Sequence, residues 1–379
     1  MESIKTSLFL AGIIIFLTAS LAPAASAPKK SAAGADWKQK WEAVQAGAKK
    51  EGTLSIWTAA SQSLRTALVP ALQEKFGINL EITTGVPAEL QQKLAMERQV
   101  GKQSVDITIL SPTNYTTYLK PKGMVTPLGP QLILPEVKDD KYWINKKFPF
   151  FDKDSTVVAL ASAYFSYILV NTQGVKKGEI HGYRDLLNPK WKGKIIMYDP
   201  ASGPGPTETF VNYFIPRLMG QEAGEEYLRA LANQEITYTR DGRLLVESVA
   251  KGKYPIGIGA MGSVVGDFVK AGAQISPVRP AEGGLLAFGV NCLAIVDGSP
   301  HPDAATVFLN WILTDEGQRL YSSAANYPPR RLGVPFTGSD QFGVVRPNDK
   351  TIESDEAFYL EGKKTAHWAK EIFGPAVGK

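Results

Sequence analysis

The sequence LSIWTAASQSLRTALVPALQEKFGINLEITTGVPAELQQKLAMERQVGKQSVDITIL, residues 54–110, decides the fold class of this chain. It alternates short runs of apolar and β-branched residues with longer runs whose apolar residues recur at helical spacing. These runs predict strands and helices in turn, at Leu54–Thr58, Ser61–Phe76, Asn79–Thr83, Pro87–Val100 and Val105–Leu110. Strands that alternate with amphipathic helices predict a parallel sheet with right-handed crossovers.

A second set of alternating strands and helices, at residues 194–278, predicts a second α/β unit. Between the two sets, Thr156–Val170 (TVVALASAYFSYILV) is too long for one ordinary strand, so it predicts strands that cross from one lobe to the next. Leu285–Val296 predicts the return. We therefore expect an α/β protein in which lobe one comprises residues 28–160 and 290–379 and lobe two comprises residues 161–289. Two lobes joined by two crossing segments leave a cleft that can close over a ligand.

Residues 1–27 have the layout of a secretory signal peptide. The mostly apolar run Leu8–Ala22 (LFLAGIIIFLTASLA) is followed by Ala25-Ser26-Ala27, which fits an A-x-A cleavage site. The apolar core at Leu8–Leu17 is shorter than the roughly 20 residues that a membrane-spanning helix needs, which favours cleavage over an uncleaved anchor. The mature protein is therefore predicted to begin near Pro28 and to work in the periplasm, away from ATP and NAD.

Composition narrows the classes of partner. The net charge of +5 over 379 residues is mild and includes no block of Lys and Arg, so it does not indicate nucleic acid. The single cysteine, Cys292, lies in an apolar run, where we expect an inert buried thiol. Because no cysteine lies near the cleavage site, we predict no lipid anchor, and we expect a freely diffusing monomer without a cofactor.

Three further stretches carry a family resemblance. They are GKIIMYDP at residues 193–200, VAKGKYPIGIG at 249–259, and GSPHPDAA at 298–305, which continues through FLNW at 308–311 to EGQ at 316–318. In order and spacing they resemble the periplasmic solute-binding proteins of ABC importers, in the type 2 group that includes ferric-ion and phosphonate receptors. The resemblance covers residues 53–325. It implies a two-lobed Venus-flytrap fold, reversible ligand capture without catalysis, and docking on an inner-membrane permease.

The ligand is not named by this resemblance. Ferric-ion members usually carry adjacent tyrosines in the loop after the strand that Pro255–Gly259 matches, but this chain has Ala260-Met261-Gly262-Ser263 there. Ferric iron is a hard ion that needs anionic oxygen ligands. The remaining candidate iron ligands are Tyr164, Tyr167, Tyr198 and Tyr238. Each of them is equally explained as an aromatic residue of the core or of the cleft wall. We therefore rank ferric iron below an organic carboxylate or a phosphonate.

Candidate binding residues follow from the sheet architecture. In open α/β sheets ligands bind beyond the carboxyl ends of strands, where helix N-termini offer free N–H groups to anions. In lobe one these junctions hold small and hydroxyl-bearing residues, namely Thr58, Ala60, Ser61, Ser111 and Thr113. Helix capping by Ser61 and Thr113 explains them as well as ligand contact does, and the two roles are compatible.

In lobe two the glycine-rich loop is the strongest candidate, with Ser202, Gly203, Gly205 and Thr207. Its glycines allow close approach of a ligand, and Thr207 is predicted to cap the next helix while offering its hydroxyl, although a structural Gly/Pro turn is the alternative.

Arg240 directly follows a predicted strand, and its planar guanidinium suits a carboxylate or phosphonate, with a solvated surface charge as the alternative. Arg243 lies one turn further on. We expect Gly262 and Ser263 to line the cleft.

Gly257–Gly262 (GIGAMG) is a literal G-x-G-x-x-G between a strand and a helix. Glu282 follows about 20 residues later, as the acidic residue of the dinucleotide fingerprint does. The alternative from another class is therefore an exported NAD(P)-dependent oxidoreductase. The late position of the motif, the placement of Glu282 beyond the next strand and the export of the chain oppose it. No G-x-S-x-G, P-loop or H-E-x-x-H motif is present, and no catalytic group is predicted.

The sequence as a whole thus predicts a periplasmic receptor. We expect it to bind a small anionic solute reversibly in the cleft between its lobes and to deliver that solute to the inner-membrane permease of an ABC transporter. A ferric-iron receptor is the alternative within the same family.

Overall fold

The structure is a computed structural model that describes residues 33–59 and 62–374. The first part contains α1 (Ala33–Glu51), β1 (Thr53–Thr58), α2 (Ser63–Phe76), β2 (Asn79–Thr84), α3 (Pro87–Gln99), β3 (Ile107–Leu110), α4 (Pro112–Asn114), α5 (Pro135–Lys138) and β4 (Val158–Ala159). The middle contains β5 (Ala163–Phe165), β6 (Ile168–Asn171), β7 (Ile195–Tyr198), α6 (Pro206–Thr209), α7 (Ile215–Met219), α8 (Gln221–Ala232), β8 (Thr237–Thr239), α9 (Gly242–Ala250), β9 (Ile256–Ile258), α10 (Gly262–Lys270) and β10 (Ile275–Pro277). The last part contains β11 (Gly284–Ala287), β12 (Cys292–Ile295), α11 (Pro302–Ile312), α12 (Asp315–Ala325), β13 (Thr351–Glu353) and α13 (Glu356–Gly362).

Three π-helical turns extend this framework, at Tyr115–Leu119, Phe210–Phe214 and Ala369–Phe373. The signal peptide predicted at residues 1–27 lies outside the described residues, as do Ala60 and Ser61, so these predictions stay predictions. In the part of the chain that the structure describes, every helix is too short or too polar to cross a lipid bilayer.

The first sheet has the strand order β2-β1-β3-β12-β4. β1 runs parallel to β2, with Thr53 opposite Asn79, and parallel to β3, with Ile56 opposite Ile107. β12 pairs antiparallel with both β3 and β4. The parallel sheet and its helical crossovers, expected from residues 54–110, are therefore confirmed, and the later strand β12 joins this sheet as expected.

Helical spacing explains how α2 covers this sheet. Leu64, Leu68 and Leu72 recur every four residues, and each is buried. Burying a leucine side chain stabilises the fold by roughly 1.5–3 kcal/mol. Gly77 ends the helix in a left-handed conformation with φ +69°, and its N–H donates to the Gln73 carbonyl at 2.9 Å.

The second sheet has the order β10-β6-β9-β7-β8. β7 runs parallel to both β8 and β9, whereas β6 runs antiparallel to β9 and β10. The parallel strands therefore end at one common edge. The chain leaves the first sheet after β4 and enters the second at β6.

A third, small sheet of order β13-β11-β5 lies on the path between the other two. β5 and β11 pair antiparallel, with Leu285 opposite Phe165, so the outgoing and returning segments are hydrogen-bonded side by side. The crossing predicted at Thr156–Val170 is thus confirmed. The strand predicted at Leu285–Val296 is instead two strands, β11 and β12, because the chain turns at Gly289, which has φ +60°, and Val290. Asn291 Nδ2 donates to the Phe288 carbonyl at 2.8 Å across this turn.

The C-terminal helices differ from the expected lobe assignment. Residues 290–379 were assigned to lobe one, but Phe358, Trp368 and Phe373 are buried in the core that covers the second sheet. Asn212 fixes this contact, since its Nδ2 donates to the Ala366 carbonyl at 2.9 Å and its Oδ1 accepts from Ala369 N at 2.7 Å. Helical periodicity marks the apolar face of this segment but does not say which sheet that face covers.

One buried cluster of charges ties the C-terminal segment to the first half of the chain. The Lys120 ammonium lies 2.6 Å from the Asp152 carboxylate and 3.3 Å from Asp154, and it also pairs with Glu356 at the start of α13. The Lys120 side chain is 10% exposed and that of Asp152 is 0% exposed. These three carboxylates are also the one group of side chains in the described residues that lie close enough together to bind a metal ion. The Lys120 ammonium forms an ion pair with each of them.

Replacing Lys120 by Met should therefore destabilise the protein strongly. The variant leaves the buried Asp152 and the nearly buried Glu356 without a countercharge, and breaking a buried pair in this way costs roughly 3–5 kcal/mol. Equilibrium denaturation in guanidinium followed by circular dichroism measures the loss. The control is Lys40→Met, which breaks the exposed pair with Asp36 and should leave the unfolding midpoint near that of the wild type. Equal midpoints for the two variants would contradict this account of Lys120.

Candidate functional site

Three loops meet at the carboxyl edge of the second sheet. They follow β7, β8 and β9, which are parallel neighbours and therefore end side by side. Asp199 N donates to the Thr239 carbonyl at 2.8 Å, which joins the first two loops. Gly259 faces Thr207 so closely that a Cβ atom would overlap the Thr207 methyl group, which joins the first and third loops. The lobe-two residues predicted to bind ligand are thereby brought to one edge.

Arg240 is held in place by a buried carboxylate. Its Nε donates to Asp199 Oδ2 at 2.9 Å, while Asp199 Oδ1 accepts from Ala201 N at 2.9 Å. The Asp199 side chain is 1% exposed and the Arg240 side chain is 71% exposed. The pair therefore fixes one edge of the guanidinium and leaves the rest of it in solvent, where planar oxyanions can be bound. Asp199 was missed in the sequence because its partner lies 41 residues away.

The glycine-rich loop leads into α6 without a side-chain cap. Ser202 Oγ donates to the Asp199 carbonyl at 2.7 Å, and Gly203 has φ +120°, a conformation that favours glycine. Gly205 is the N-cap residue, and Pro206 follows it as the first helical residue. The helix runs on through Met219, so the N–H groups of its first turn and its positive dipole end lie at this loop.

The predicted role of Thr207 is wrong. Thr207 lies inside the first turn rather than at the N-cap, is fully buried, and donates its hydroxyl to the Tyr198 carbonyl at 2.9 Å. Its side chain therefore fastens the helix to β7 and packs on Gly259. Pro206 explains the shift, because proline is favoured at the first helical position and sets the cap one residue before itself.

The start of α10 is already covered by a carboxylate. Gly262 touches Asp340 so closely that a Cβ atom there would overlap the carboxylate, and Asp340 Oδ1 accepts from Gly343 N at 2.8 Å. Burial raises the pKa of Asp340 above its ordinary value. Gly262 therefore lies under the segment that carries Asp340, a contact between residues 78 positions apart that no local pattern indicates, whereas Ser263 is exposed.

The start of α9 is likewise capped from within the chain. Asp241 accepts from Arg243 N at 2.8 Å and from Leu244 N at 3.0 Å. The Arg243 guanidinium lies over the Phe268 ring, 5.1 Å from its centroid. Arg243 is thus directed toward α10, whereas Arg240 stands beside the glycine-rich loop.

In the first sheet, the candidate residues lie at the ends of the neighbouring strands β1 and β3. Thr58 is buried and donates its hydroxyl to the Ile109 carbonyl at 2.9 Å. Ser111 donates its hydroxyl to Asn114 Oδ1 at 2.6 Å and lies 3.0 Å from the Thr113 hydroxyl. Ser111 rather than Thr113 precedes the helix, so the expected cap at Thr113 is wrong. Asn114, which also accepts from Ser111 N, was not predicted.

Three of the four candidate tyrosines, Tyr164, Tyr167 and Tyr238, are engaged in the interior of the protein rather than presented as phenolate ligands. Tyr164 is 5% exposed, with the Arg279 guanidinium over its ring, and Tyr167 is 3% exposed. Burial raises the pKa of Tyr164 and of Tyr238 to about 12, and the buried Tyr238 hydroxyl has no hydrogen-bond partner among the described residues. Ionising either phenol at neutral pH is therefore disfavoured.

Residues 67–343 match the family model of bacterial extracellular solute-binding proteins. The chain belongs to this family. Solute-binding proteins of this kind bind a small ligand and deliver it to an ABC permease. The family resemblance seen in the sequence motifs is thereby confirmed.

Individual relatives are distant. An uncharacterized protein of Haemophilus influenzae is 29% identical over 138 residues, which are 36% of this chain and 38% of that protein. The chain therefore matches well under two thirds of the length of that relative. The spermidine/putrescine-binding periplasmic protein of Escherichia coli is 23% identical over 320 residues, which are 80% of this chain and 84% of the relative.

Solved structures show the same fold. The Trichodesmium protein IdiA (FutA), in complex with iron and citrate, superposes with a TM-score of 0.68 at 17% identity and covers 86% of this chain and 100% of its own. AfuA from Actinobacillus pleuropneumoniae, with fructose-6-phosphate bound, superposes with a TM-score of 0.54 at 20% identity, over 86% of this chain and 98% of its own. The solute-binding family member described here therefore has the expected two-lobed α/β fold.

The contact between Gly259 and Thr207 gives a direct test of how the loops are assembled. Gly259→Ala adds a Cβ at φ +89° and against the Thr207 methyl group, so it should lower the free energy of unfolding by more than the roughly 1–2 kcal/mol of the backbone conformation alone. The matched control is Gly272→Ala, at φ +91° with open space around it. Urea denaturation compares the two variants.

A second substitution separates the two contributions. Thr207→Ser removes the methyl group, so adding it to Gly259→Ala should recover the excess loss but not the part shared with Gly272→Ala. Equal losses in Gly259→Ala and Gly272→Ala would mean that the loops are not packed as described.

Proposed function

We propose that this solute-binding protein captures a small anionic solute, of the carboxylate or phosphonate type, between the strand ends of its two lobes. The observation that carries the proposal is the exposed guanidinium of Arg240, pinned by Asp199 beside the uncapped first turn of α6. A guanidinium and a helix N-terminus both favour an oxyanion. The cleft between the lobes would exclude water around the bound ligand.

The nearest carboxylate on α6 is directed along the helix. Glu208 accepts from Asn212 Nδ2 at 2.7 Å, one turn further along, and burial raises the pKa of its carboxyl group. The Asn212 amide therefore holds the Glu208 carboxylate within the helix. Asp199 is in turn neutralised by Arg240. The loop therefore presents hydrogen-bond donors to a ligand, with its carboxylates engaged inside the protein.

Export and delivery complete the proposal. A cleaved signal peptide at residues 1–27 without a lipid anchor would release the mature chain as a freely diffusing periplasmic monomer. The loaded receptor would then dock on an inner-membrane permease. In lobe one, Thr58, Ala60, Ser61, Ser111 and Thr113 are proposed to contact the other side of the ligand.

Ferric iron remains the competing cargo. A protein of the same fold was solved with iron and citrate, and citrate is itself a carboxylate anion. Two observations support ranking free ferric iron lower, namely the loop Ala260–Ser263 without a tyrosine and the burial of Tyr164 and Tyr167. Iron bound through phenolates would give a visible charge-transfer colour.

The dinucleotide alternative fits the geometry less well. Gly257 is packed against Val249 and Leu245, and Gly262 lies under the Asp340 carboxylate, so a pyrophosphate there would meet a negative group. Glu282 accepts from Tyr183 N at 3.1 Å and is therefore engaged with the segment before β7. These contacts support a structural role for the glycine motif.

A ligand panel tests the class of solute. Methylphosphonate or citrate in excess should raise the melting temperature, because a ligand that binds only the folded state stabilises it. Differential scanning fluorimetry with methylphosphonate, citrate, ferric citrate, spermidine and NAD separates the candidates. Stabilisation by spermidine or NAD without any response to the anions would overturn the proposal, and colour on adding ferric citrate would favour the iron receptor.

Arg240→Ala should weaken binding of the anion that stabilises the protein. A hydrogen bond to a charged group contributes roughly 1.5–3 kcal/mol, so the Kd should rise by about tenfold or more. Isothermal titration calorimetry measures the change. Arg243→Ala is the matched control, because it removes an equal charge three residues away that lies over Phe268, and its Kd should be unchanged. Equal effects of the two variants, or none in Arg240→Ala, would remove Arg240 from the site.

A further inference from the structure

A groove lies at the β10 edge of the second sheet, whereas Arg240 follows β8 at the other edge. One wall is the loop of residues 172–181 after β6, and the other is β10 with residues 278–281. Thr172 N donates to the Gln274 carbonyl at 2.9 Å at one end, and Ala281 N donates to the His181 carbonyl at 2.8 Å at the other. Because a hydrogen bond joins the two walls at each end, the distance between the walls is fixed, and the groove is part of the folded structure.

The loop wall is itself rigidly folded. Asn171 is 3% exposed, and its Oδ1 accepts from Gln173 N and Gly174 N at 3.0 Å each. Further along, Lys176 N donates to Glu179 Oε2 at 2.9 Å and closes the next turn. The backbone that shapes the groove is therefore organised before any ligand arrives, which lowers the entropic cost of binding.

The floor of the groove is apolar. Val175 is 4% exposed and Ile180 is 6% exposed, and Val170, Pro277 and Val278 complete the surface. The groove encloses about 630 Å³. Small-molecule sites typically measure roughly 300–1,000 Å³ and are lined mostly by apolar groups with a few polar ones at the edge.

The rim of the groove is basic. The lining residues include Lys176, Lys177, His181, Arg279 and Arg346, and none of those described is an aspartate or glutamate. The nearest acid on the loop, Glu179, is bound by Lys190 Nζ at 2.7 Å, and Arg279 pairs with Asp349. Among the described residues, the side chains of Lys176, Lys177 and Arg346 take part in no ion pair, so their charges are left for a ligand.

We propose that this groove is a second binding site, which takes a small organic anion with an apolar body. The headgroup, a carboxylate or a phosphate, would lie against Lys176, Lys177 and Arg346, and the apolar body would cover Val175 and Ile180. The groove opens beside β10, and the order β10-β6-β9-β7-β8 places two strands between β10 and β7, whose loop holds the Arg240 site. The two sites are therefore separate and should bind independently.

Octanoate is a probe of matching chemistry, and octylamine has the same apolar body with the opposite charge. The full protein should bind octanoate in isothermal titration calorimetry, whereas octylamine should give no binding heat. Lys176→Gln/Lys177→Gln should weaken octanoate binding by about fivefold or more, since it removes two headgroup partners. The matched control is Lys363→Gln/Lys364→Gln, an exposed adjacent lysine pair on the C-terminal segment, which should leave octanoate affinity unchanged.

Three outcomes with octanoate, octylamine and the lysine variants would overturn the proposal, and a fourth concerns Arg240. The three are absence of octanoate binding to the wild type, equal affinity for octylamine, and equal octanoate affinity in the two lysine double variants. Arg240→Ala should also leave octanoate binding intact. Loss of octanoate binding in Arg240→Ala would place the anion in the cleft instead, and would count against the second site while leaving the proposed transport function standing.

Discussion

The structure depends on the two segments that cross between the sheets. The outgoing strand β5 and the returning strand β11 are hydrogen-bonded to each other, with Ala163 opposite Ala287, before β12 pairs with β4 in the first sheet. Because these segments are adjacent, together they form a single connection, called the joint below, between the hydrophobic cores of the first and second sheets. Tyr167 lies at this joint with φ +63°, an uncommon conformation for a tyrosine, and its carbonyl accepts from Gly259 N at 2.9 Å.

The joint also links the fold to the site. Gly259, whose N–H bonds to Tyr167, packs on Thr207, and Thr207 bonds to the Tyr198 carbonyl at the end of β7. A continuous set of contacts therefore runs from the crossing segment to the loop that holds Ser202 and Gly203. A change in angle at the joint would carry the glycine-rich loop with it as one body, which is the motion that a hinged receptor requires.

Sequence reasoning succeeded where the signal is local. The strands and helices of residues 54–110 were placed to within a few residues, because periodicity and a C-terminal glycine such as Gly77 act within one element. Parallel topology followed from the alternation of elements, and it placed the strand ends that form the proposed site.

Sequence reasoning failed where the partner is distant. Asp199 and Asp340 shape the loops around Arg240 and Gly262, yet their partners lie 41 and 78 positions away and carry no local signal. The C-terminal helices were assigned to the wrong core for the same reason, because an apolar face does not identify what covers it. Thr207 and Thr113 were misread as caps because a proline placed the cap one residue before itself in each case.

We propose that one anion is held between the strand ends of the two lobes. A crystal structure of the protein with its most strongly stabilising anion would show where that anion lies. We expect the acidic group within hydrogen-bond distance of the Arg240 guanidinium and of the Ser202–Gly205 backbone, with the other side of the ligand touching the end of β1 or β3. A ligand that contacts one lobe alone, or that lies away from Arg240, would contradict it.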